Sequence, residues 1–152
     1  MPADPAPAIA WLNRQRAVAP AELGLRVAAL VVDRALPGVL AAVRSRSVLG
    51  QLPEVSVVAV SDRRIAAVHG EFLGDPTPTD VITFLHGEIV LSAETAQREA
   101  FGRGLPLPQE IARYAVHGLL HLAGWSDETP SDAAEMRSVQ EKILRRAIRG
   151  LC

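Results

Sequence analysis

Apolar residues recur along this chain at two periods, and the switches between them divide it into elements. Val55-Ser56-Val57-Val58-Ala59-Val60 is short, β-branched and almost continuously apolar, which predicts a buried strand. Val81-Ile82-Thr83-Phe84 and Glu88-Ile89-Val90-Leu91 predict two more strands, and His86-Gly87 between them predicts the turn of an antiparallel hairpin. A first strand is expected within residues 9–18. Elsewhere the period is helical. Leu23, Val27, Leu30 and Val31 share one face of a segment over 21–47, and Pro37-Gly38 interrupts it, so one long helix or two short ones are expected. Ser61 suits the N-cap of a helix over 62–72, and Ser92 that of a helix over 93–103. A further helix runs from Pro108 to Ala123, with Gly124 as its natural C′ residue. Ser131 or Asp132 is expected to cap the last helix, where Met136, Val139, Ile143, Leu144, Ala147 and Ile148 form an apolar stripe.

That order of elements predicts an α+β fold: a single compact domain over residues 9–152, with a small mixed β-sheet packed with about five helices. A length of 152 residues suits one domain. Residues 1–8 are Pro/Ala-rich and are expected to be a disordered tail. The stretch from Gly74 to Thr79 holds two prolines two residues apart and must be a rigid loop. Sixteen basic and seventeen acidic residues give a net charge of −1, which excludes a polycationic nucleic-acid binder but not a local basic patch. The single cysteine, Cys152, excludes an internal disulfide and a cysteine-based zinc site, and a reducing cytoplasm is expected. The first residues have no basic start and no long apolar core, so no signal peptide is expected, and no run of apolar residues is long enough to span a membrane.

The chemistry concentrates in His117-Gly118-Leu119-Leu120-His121. Residues at i and i+4 sit one turn apart on one helix face, so two imidazoles can bind a single ion, as on a zincin-like metal helix. The flanking residues are nearly all apolar. Such a helix is buried, two buried histidines need partners, and a shared metal satisfies both. A third ligand must come from beyond the helix end, where Ser126, Asp127 and Glu128 are available. Gly118 occupies the position of the glutamate base in zinc peptidases, which argues against a peptidase. It also allows another backbone or a substrate to approach closely. Glu110 shares the histidine face two turns earlier, as a group lining the cleft or standing behind the ligands, and is a catalytic candidate for proton acceptor. Arg113 is a second catalytic candidate; it and the arginines near 44–46, 63–64 and 145–149 are candidates for a phosphate track. Asp80 is expected to tie the proline loop to the backbone through its carboxylate; Thr79, Asp80 and His86 are also substrate-binding candidates. His69 has no expected role. Aromatic residues make up only 4% of the chain, so no stacking platform is expected, and Trp125 reads as a plug over the end of the histidine helix.

The stretch His117-Gly-Leu-Leu-His-Leu-Ala-Gly-Trp-Ser-Asp127 resembles the hallmark His-Gly-x-Leu-His-Leu-x-Gly-(Tyr/Trp)-Asp-His of the YbeY family of bacterial endoribonucleases and rRNA maturation factors. Pro78-Thr79-Asp80-Val81-Ile82-Thr83-Phe84 resembles the family's Pro-Thr-Asp-Val-Leu-Ser-Phe, and Gly87-Glu88-Ile89-Val90-Leu91-Ser92 its Gly-Asp-Ile-x-Ile-Ser. Met136 and Gln140 resemble its closing Met-x-x-x-Gln, and the resemblance covers residues 54–149. It implies a zincin-like fold, one metal ion per chain, usually zinc, and cleavage of single-stranded RNA by metal-activated water. It further implies roles in 16S rRNA 3′-end maturation and ribosome quality control, with rRNA and the small ribosomal subunit or its proteins as partners, and neither membrane nor DNA.

Two departures bear on this. The family's third histidine aligns with Asp127, and its preceding aspartate with Ser126. His117, His121 and Asp127 would then be the ligands, a common set for catalytic zinc that lowers the site charge and makes bound water less acidic. The same set suits Fe2+, and Ni2+ or Mn2+ also compete. The family's Tyr-Arg-Gly is Phe72-Leu73-Gly74 here, so Leu73 replaces its arginine, for which Arg63, Arg64 or Arg113 would have to substitute. The competing readings are a non-catalytic ribosome-associated assembly factor with a structural or absent metal, and a metallopeptidase.

Overall fold

Alternation along a central strand sends Val55, Val57 and Ala59 to one face of a sheet and Val58 and Val60 to the other, and both faces are covered. In the computed structural model, which describes residues 6–74, 79–149 and 151, four strands form this sheet. They are β1 (Ala8–Asn13), β2 (Glu54–Val60), β3 (Val81–Phe84) and β4 (Glu88–Ser92), in the order β1-β2-β4-β3. β2 pairs in parallel with β1 and β4, whereas β3 pairs antiparallel with β4 in the expected hairpin, Val81 opposite Leu91 and Phe84 opposite Glu88. β3 is thus an edge strand. The sheet is mixed, as expected. Residues 1–5 of the expected tail and positions 75–78 of the proline loop lie outside the described residues, and Ala8 already belongs to β1.

The helices are the single turn α1 (Pro20–Leu23) and five longer ones: α2 (Leu25–Ala41), α3 (Asp62–Leu73), α4 (Ala93–Arg103), α5 (Leu107–Leu122) and α6 (Pro130–Arg149). The main core lies between one sheet face and helices α2, α4, α5 and α6. The other face carries a small second core in which Ile65 and Val68 of α3 meet Val58, Val60, Ile82 and Val90. No helix among the described residues is long and apolar enough to cross a membrane.

The helical segment breaks at Gly24 and not at Pro37-Gly38. Gly24 adopts φ 62°, closes α1 and opens α2, and a Cβ there would lie 2.5 Å from Pro108 Cγ. Pro37 is carried inside α2 because buried residues flank it on both sides, among them Val32, Ala35, Leu36 and Val39. Gly38 lets α6 come close, with Ile143 Cγ1 only 3.3 Å from where a Cβ would stand. Tertiary burial there outweighs the local cost of proline. The start of α6 also differs from expectation. Thr129 Oγ1 accepts from Asp132 N at 3.0 Å, so Thr129 is the cap, Pro130 opens the first turn, and Ser131 and Asp132 lie within it.

The other two caps are as expected: Ser61 Oγ accepts from Arg64 N and Ser92 Oγ from Thr95 N. They are joined by Asp62, whose Oδ1 accepts from Thr95 Oγ1 at 2.7 Å and also from Ser92 Oγ, and whose Oδ2 accepts from Arg98 at 2.8 Å. Burial raises the pKa of this carboxyl, but hydrogen bonds from Ser92, Thr95 and Arg98 outweigh that and hold it below its usual 3.8. A depressed carboxyl stabilises the fold fully above its unfolded pKa and loses that contribution as pH falls through the folded value. Asp62→Asn is therefore expected to cost roughly 1.5–3 kcal/mol at neutral pH. The deficit should shrink below the unfolded value of 3.8. Urea denaturation at pH 7 and in acid measures both; an equal deficit at both pH values would place the stabilisation elsewhere.

Candidate metal centre

α5 is apolar almost all round, and Val116, Leu119, Leu120 and Leu122 are fully buried. It approaches the sheet closely at Gly118, where a Cβ would stand 2.7–2.9 Å from three carbons of Ile89 in β4. Ile89 is buried and β-branched and cannot retreat, so the close approach anticipated at Gly118 is to a packed side chain of the core. This packing fixes the helix face bearing His117 and His121, whose rings meet edge to face with centroids 4.6 Å apart.

Both imidazoles are held by their Nδ1 atoms. His117 Nδ1 is 2.8 Å from Gln140 Oε1. The Gln140 amide donates from Nε2 to Glu141 Oε2 at 3.1 Å, which turns its oxygen toward the ring. His121 Nδ1 is 3.1 Å from the Trp125 carbonyl, which can only accept. Each ring is therefore held by its Nδ1 and turns its Nε2 toward the site. The two Nε2 atoms face each other at 3.1 Å, with Asp127 Oδ2 at 3.5 and 3.4 Å from them. Burial, followed by the neighbouring His117, lowers the pKa of His121 more than Asp127 and the Trp125 carbonyl raise it, so the ring is neutral at pH 7. His117 Nε2, His121 Nε2 and an Asp127 carboxylate oxygen converge, all within 4.8 Å of one another. Two imidazole nitrogens and one carboxylate oxygen in this arrangement fit a divalent ion.

The turn after α5 delivers the third of these atoms. Gly124, at φ 97°, lets the chain reverse where a Cβ would come within 2.9 Å of Ser47 N. Trp125 Nε1 donates to Ala42 O at 2.9 Å, and the Arg44 guanidinium lies 3.6 Å over its ring. Trp125 does plug the helix end as expected, and its anchored backbone presents the carbonyl to His121.

These groups open onto a cleft of about 660 Å3 between α5, the edge strand β3 and the 124–128 turn. Thr79 and Asp80 line it, with Asp80 Oδ1 accepting from the adjacent Val81 N at 2.8 Å where β3 begins. His86 does not line it: the residue stacks on Phe84, centroids 5.6 Å apart, and lines a separate groove on the other sheet face. Glu110 and Arg113 do not line it either. Seven residues before His117 is two turns, about 10 Å along the axis. There Glu110 is fully buried with Oε2 2.8 Å from Arg113, and Arg113 in turn forks onto Glu141 at 3.0 and 2.8 Å. These two residues lock α5 to α6 and reach His117 only through Glu141 and Gln140. Leu73, in place of the arginine that the resemblance would supply, lies at the cleft wall.

Three residues enter the site to which the sequence assigned no role there. Gln140 stood only as part of the closing Met-x-x-x-Gln, a polar residue on the apolar face of α6. Arg46 lines the cleft and stood only within a group of arginines. His69 lines it from α3, and only the crossing of α3 over the sheet brings it there.

Known proteins resemble this chain in sequence and in fold. The family described as Endoribonuclease YbeY matches residues 29–148. Endoribonuclease YbeY of Dinoroseobacter shibae is 36% identical over 117 residues, 60% of this chain and 65% of that protein. The protein of the same name from Thermus thermophilus is 37% identical over 102 residues, 59% of this chain and 73% of that one. The match spans 53% of a third, from Anaeromyxobacter, so the chain covers less than two thirds of two of these relatives. A solution structure of a Thermotoga maritima protein shares the fold, with a TM-score of 0.60 over 91% of this chain and 88% of that one at 23% identity.

Proposed function

This chain belongs to the YbeY family, and from that premise we propose that it is a metal-dependent endoribonuclease that cuts single-stranded RNA. Its place is 16S rRNA 3′-end maturation and ribosome quality control in the cytoplasm, where it meets rRNA and the small ribosomal subunit. The observation that carries this reading is the convergence of the Nε2 atoms of His117 and His121 with the Asp127 carboxylate at an open cleft. His117, His121 and Asp127 hold one divalent ion, zinc first, with Fe2+, Ni2+ or Mn2+ suited to the same donors. When bound, such an ion lowers the pKa of a water ligand and polarises a phosphoryl oxygen.

The chain's own residues do the rest. Gln140 and the Trp125 carbonyl hold both rings by Nδ1 and keep their Nε2 atoms aimed into the site. Arg46, at the cleft wall, offers a phosphate contact, and Asp80 fixes the lip of the cleft where β3 begins. Gly118 leaves the peptidase base absent, which favours a phosphodiester over a peptide. Leu73, where the family has arginine, favours the competing reading of a non-catalytic assembly factor.

The test compares metal content by elemental mass spectrometry and cleavage of a single-stranded RNA for wild type and Asp127→Ala. Bound metal and cleavage in the wild type, both lost in the variant, are expected. Metal without cleavage in the wild type would favour the assembly factor, and no uptake of any of the four ions would overturn the metal site.

A further inference from the structure

We propose that the sheet face opposite the metal cleft is a second binding surface for single-stranded RNA, receiving the strand as it passes over the β3 edge. The inference deepens the ribonuclease reading and rests on it for the class of ligand. Among the described residues, α3 alone packs on this face, and it covers part of it. The remainder is a groove of about 460 Å3 that takes lining residues from all four strands and from α3. Four strands span roughly 14 Å, room for a short stretch of nucleotides.

Three rings stand in a row at the β3 end of this groove. Phe72 and Phe84 meet edge to face at 5.4 Å, and Phe84 and His86 stack at 5.6 Å with 22° between their planes. Phe72 is 61% exposed, and the His86 side chain 71%. The chain has only three phenylalanines, and folding puts two of them here beside a histidine, although so low an aromatic content predicted no stacking platform. Ring faces left open to water stack bases of any sequence.

Arg14 and Arg64 line the same groove, and neither guanidinium has an acidic partner among the described residues. By contrast Arg44, Arg98, Arg103 and Arg113 are all paired with carboxylates. The one acid lining the groove, Glu88, lies 3.8 Å from His86. Unpaired cations beside open rings match phosphates beside bases. Phe84 borders both this groove and the metal cleft, so one strand can occupy both.

The experiment measures binding of a fluorescein-labelled, unstructured single-stranded RNA by fluorescence anisotropy, in the His121→Ala background so that the RNA stays whole. Adding Phe72→Ala with His86→Ala should weaken binding at least about fivefold, the lower end for loss of one stacked base. Adding Arg14→Ala with Arg64→Ala should reduce the slope of log affinity against log salt by about 1.4, two phosphate contacts on a single strand. All four side chains lie on the groove surface, and unchanged circular dichroism confirms the fold. Unaltered affinity and slope in both variants would overturn the proposal, as would absence of RNA binding before they are introduced. If wild type cleaves RNA while these variants bind unchanged, the second surface falls and the ribonuclease reading stands. If wild type never cleaves but the variants lose binding, the surface stands and the ribonuclease reading falls.

Discussion

Replacing His121 by alanine is expected to remove the bound metal and to reduce RNA cleavage by more than the roughly 10–100-fold that loss of a ligand's hydrogen-bond partner costs. The substitution deletes one of three donor atoms, and the two left, His117 Nε2 and Asp127 Oδ2, are 3.5 Å apart. The fold should survive it. Alanine is the better helix former, and the His121 ring is only partly buried, so little apolar packing is lost. The two Nε2 atoms stand 3.1 Å apart with the Asp127 carboxylate beside them, and without a metal this crowding of partly buried polar atoms disfavours the folded state. His121→Ala relieves it. In the presence of chelator the variant should therefore unfold at a denaturant midpoint equal to or above that of wild type. Added zinc should stabilise only the wild type, by about 2.7 kcal/mol at a hundredfold excess over Kd. Retention of metal by His121→Ala would remove this residue from the ligand set. A large loss of stability in chelator would make its role structural.

What could be read from the sequence was what local spacing decides. The i, i+4 histidine pair, the Ser61 and Ser92 caps and the β3–β4 hairpin all follow from neighbours within a few residues. The ends of helices set by distant packing did not. Pro37 is a strong local breaker, yet burial of α2 on both sides of it carries the helix through, and Gly24, packed on Pro108, makes the break. His86 was grouped with the cleft because it is near Thr79 and Asp80 in sequence. Strand parity shows the difference: Ile82 and Phe84 point to the second core, and His86 stacks on Phe84. Glu110 shares a helix face with His117, but its partner Arg113 and the α6 residue Glu141 draw it into the core. The ligand triad is legible in the sequence because its residues are ten apart at most. The groups that orient it, Gln140 on α6 and the Trp125 carbonyl, depend on how α6 and the 124–128 turn fold back.

Glu110→Ala is expected to cost about 3–5 kcal/mol of stability, the range for breaking a buried ion pair from one side. The carboxylate is fully buried, with Oε2 2.8 Å from Arg113 and 3.6 Å from Arg103, while Oε1 has no hydrogen-bond partner among the described residues. Alanine leaves a cavity between α4, α5 and α6 and leaves Arg113 with Glu141 alone. Glu110→Gln separates the charge from the shape. Burial pushes the Glu110 carboxyl above its usual 4.5, and Arg113 and Arg103 offset this only in part. A group raised in the folded state binds its proton more tightly there, so its contribution is full below the unfolded pKa and is lost as pH rises through the folded value. Glutamine does not titrate. The stability of Glu110→Gln relative to wild type should therefore improve as pH rises from 4.5 and level off above the raised folded pKa. Asp62 titrates identically in both proteins and cancels from the difference. Urea denaturation of the three chains between mild acid and neutral pH reads both effects. A neutral Glu110→Ala would mean that the Arg113–Glu141 fork alone fastens α5 to α6; a pH-independent Glu110→Gln difference would mean that the buried carboxyl keeps an ordinary pKa and that Arg113 and Arg103 fully offset its desolvation.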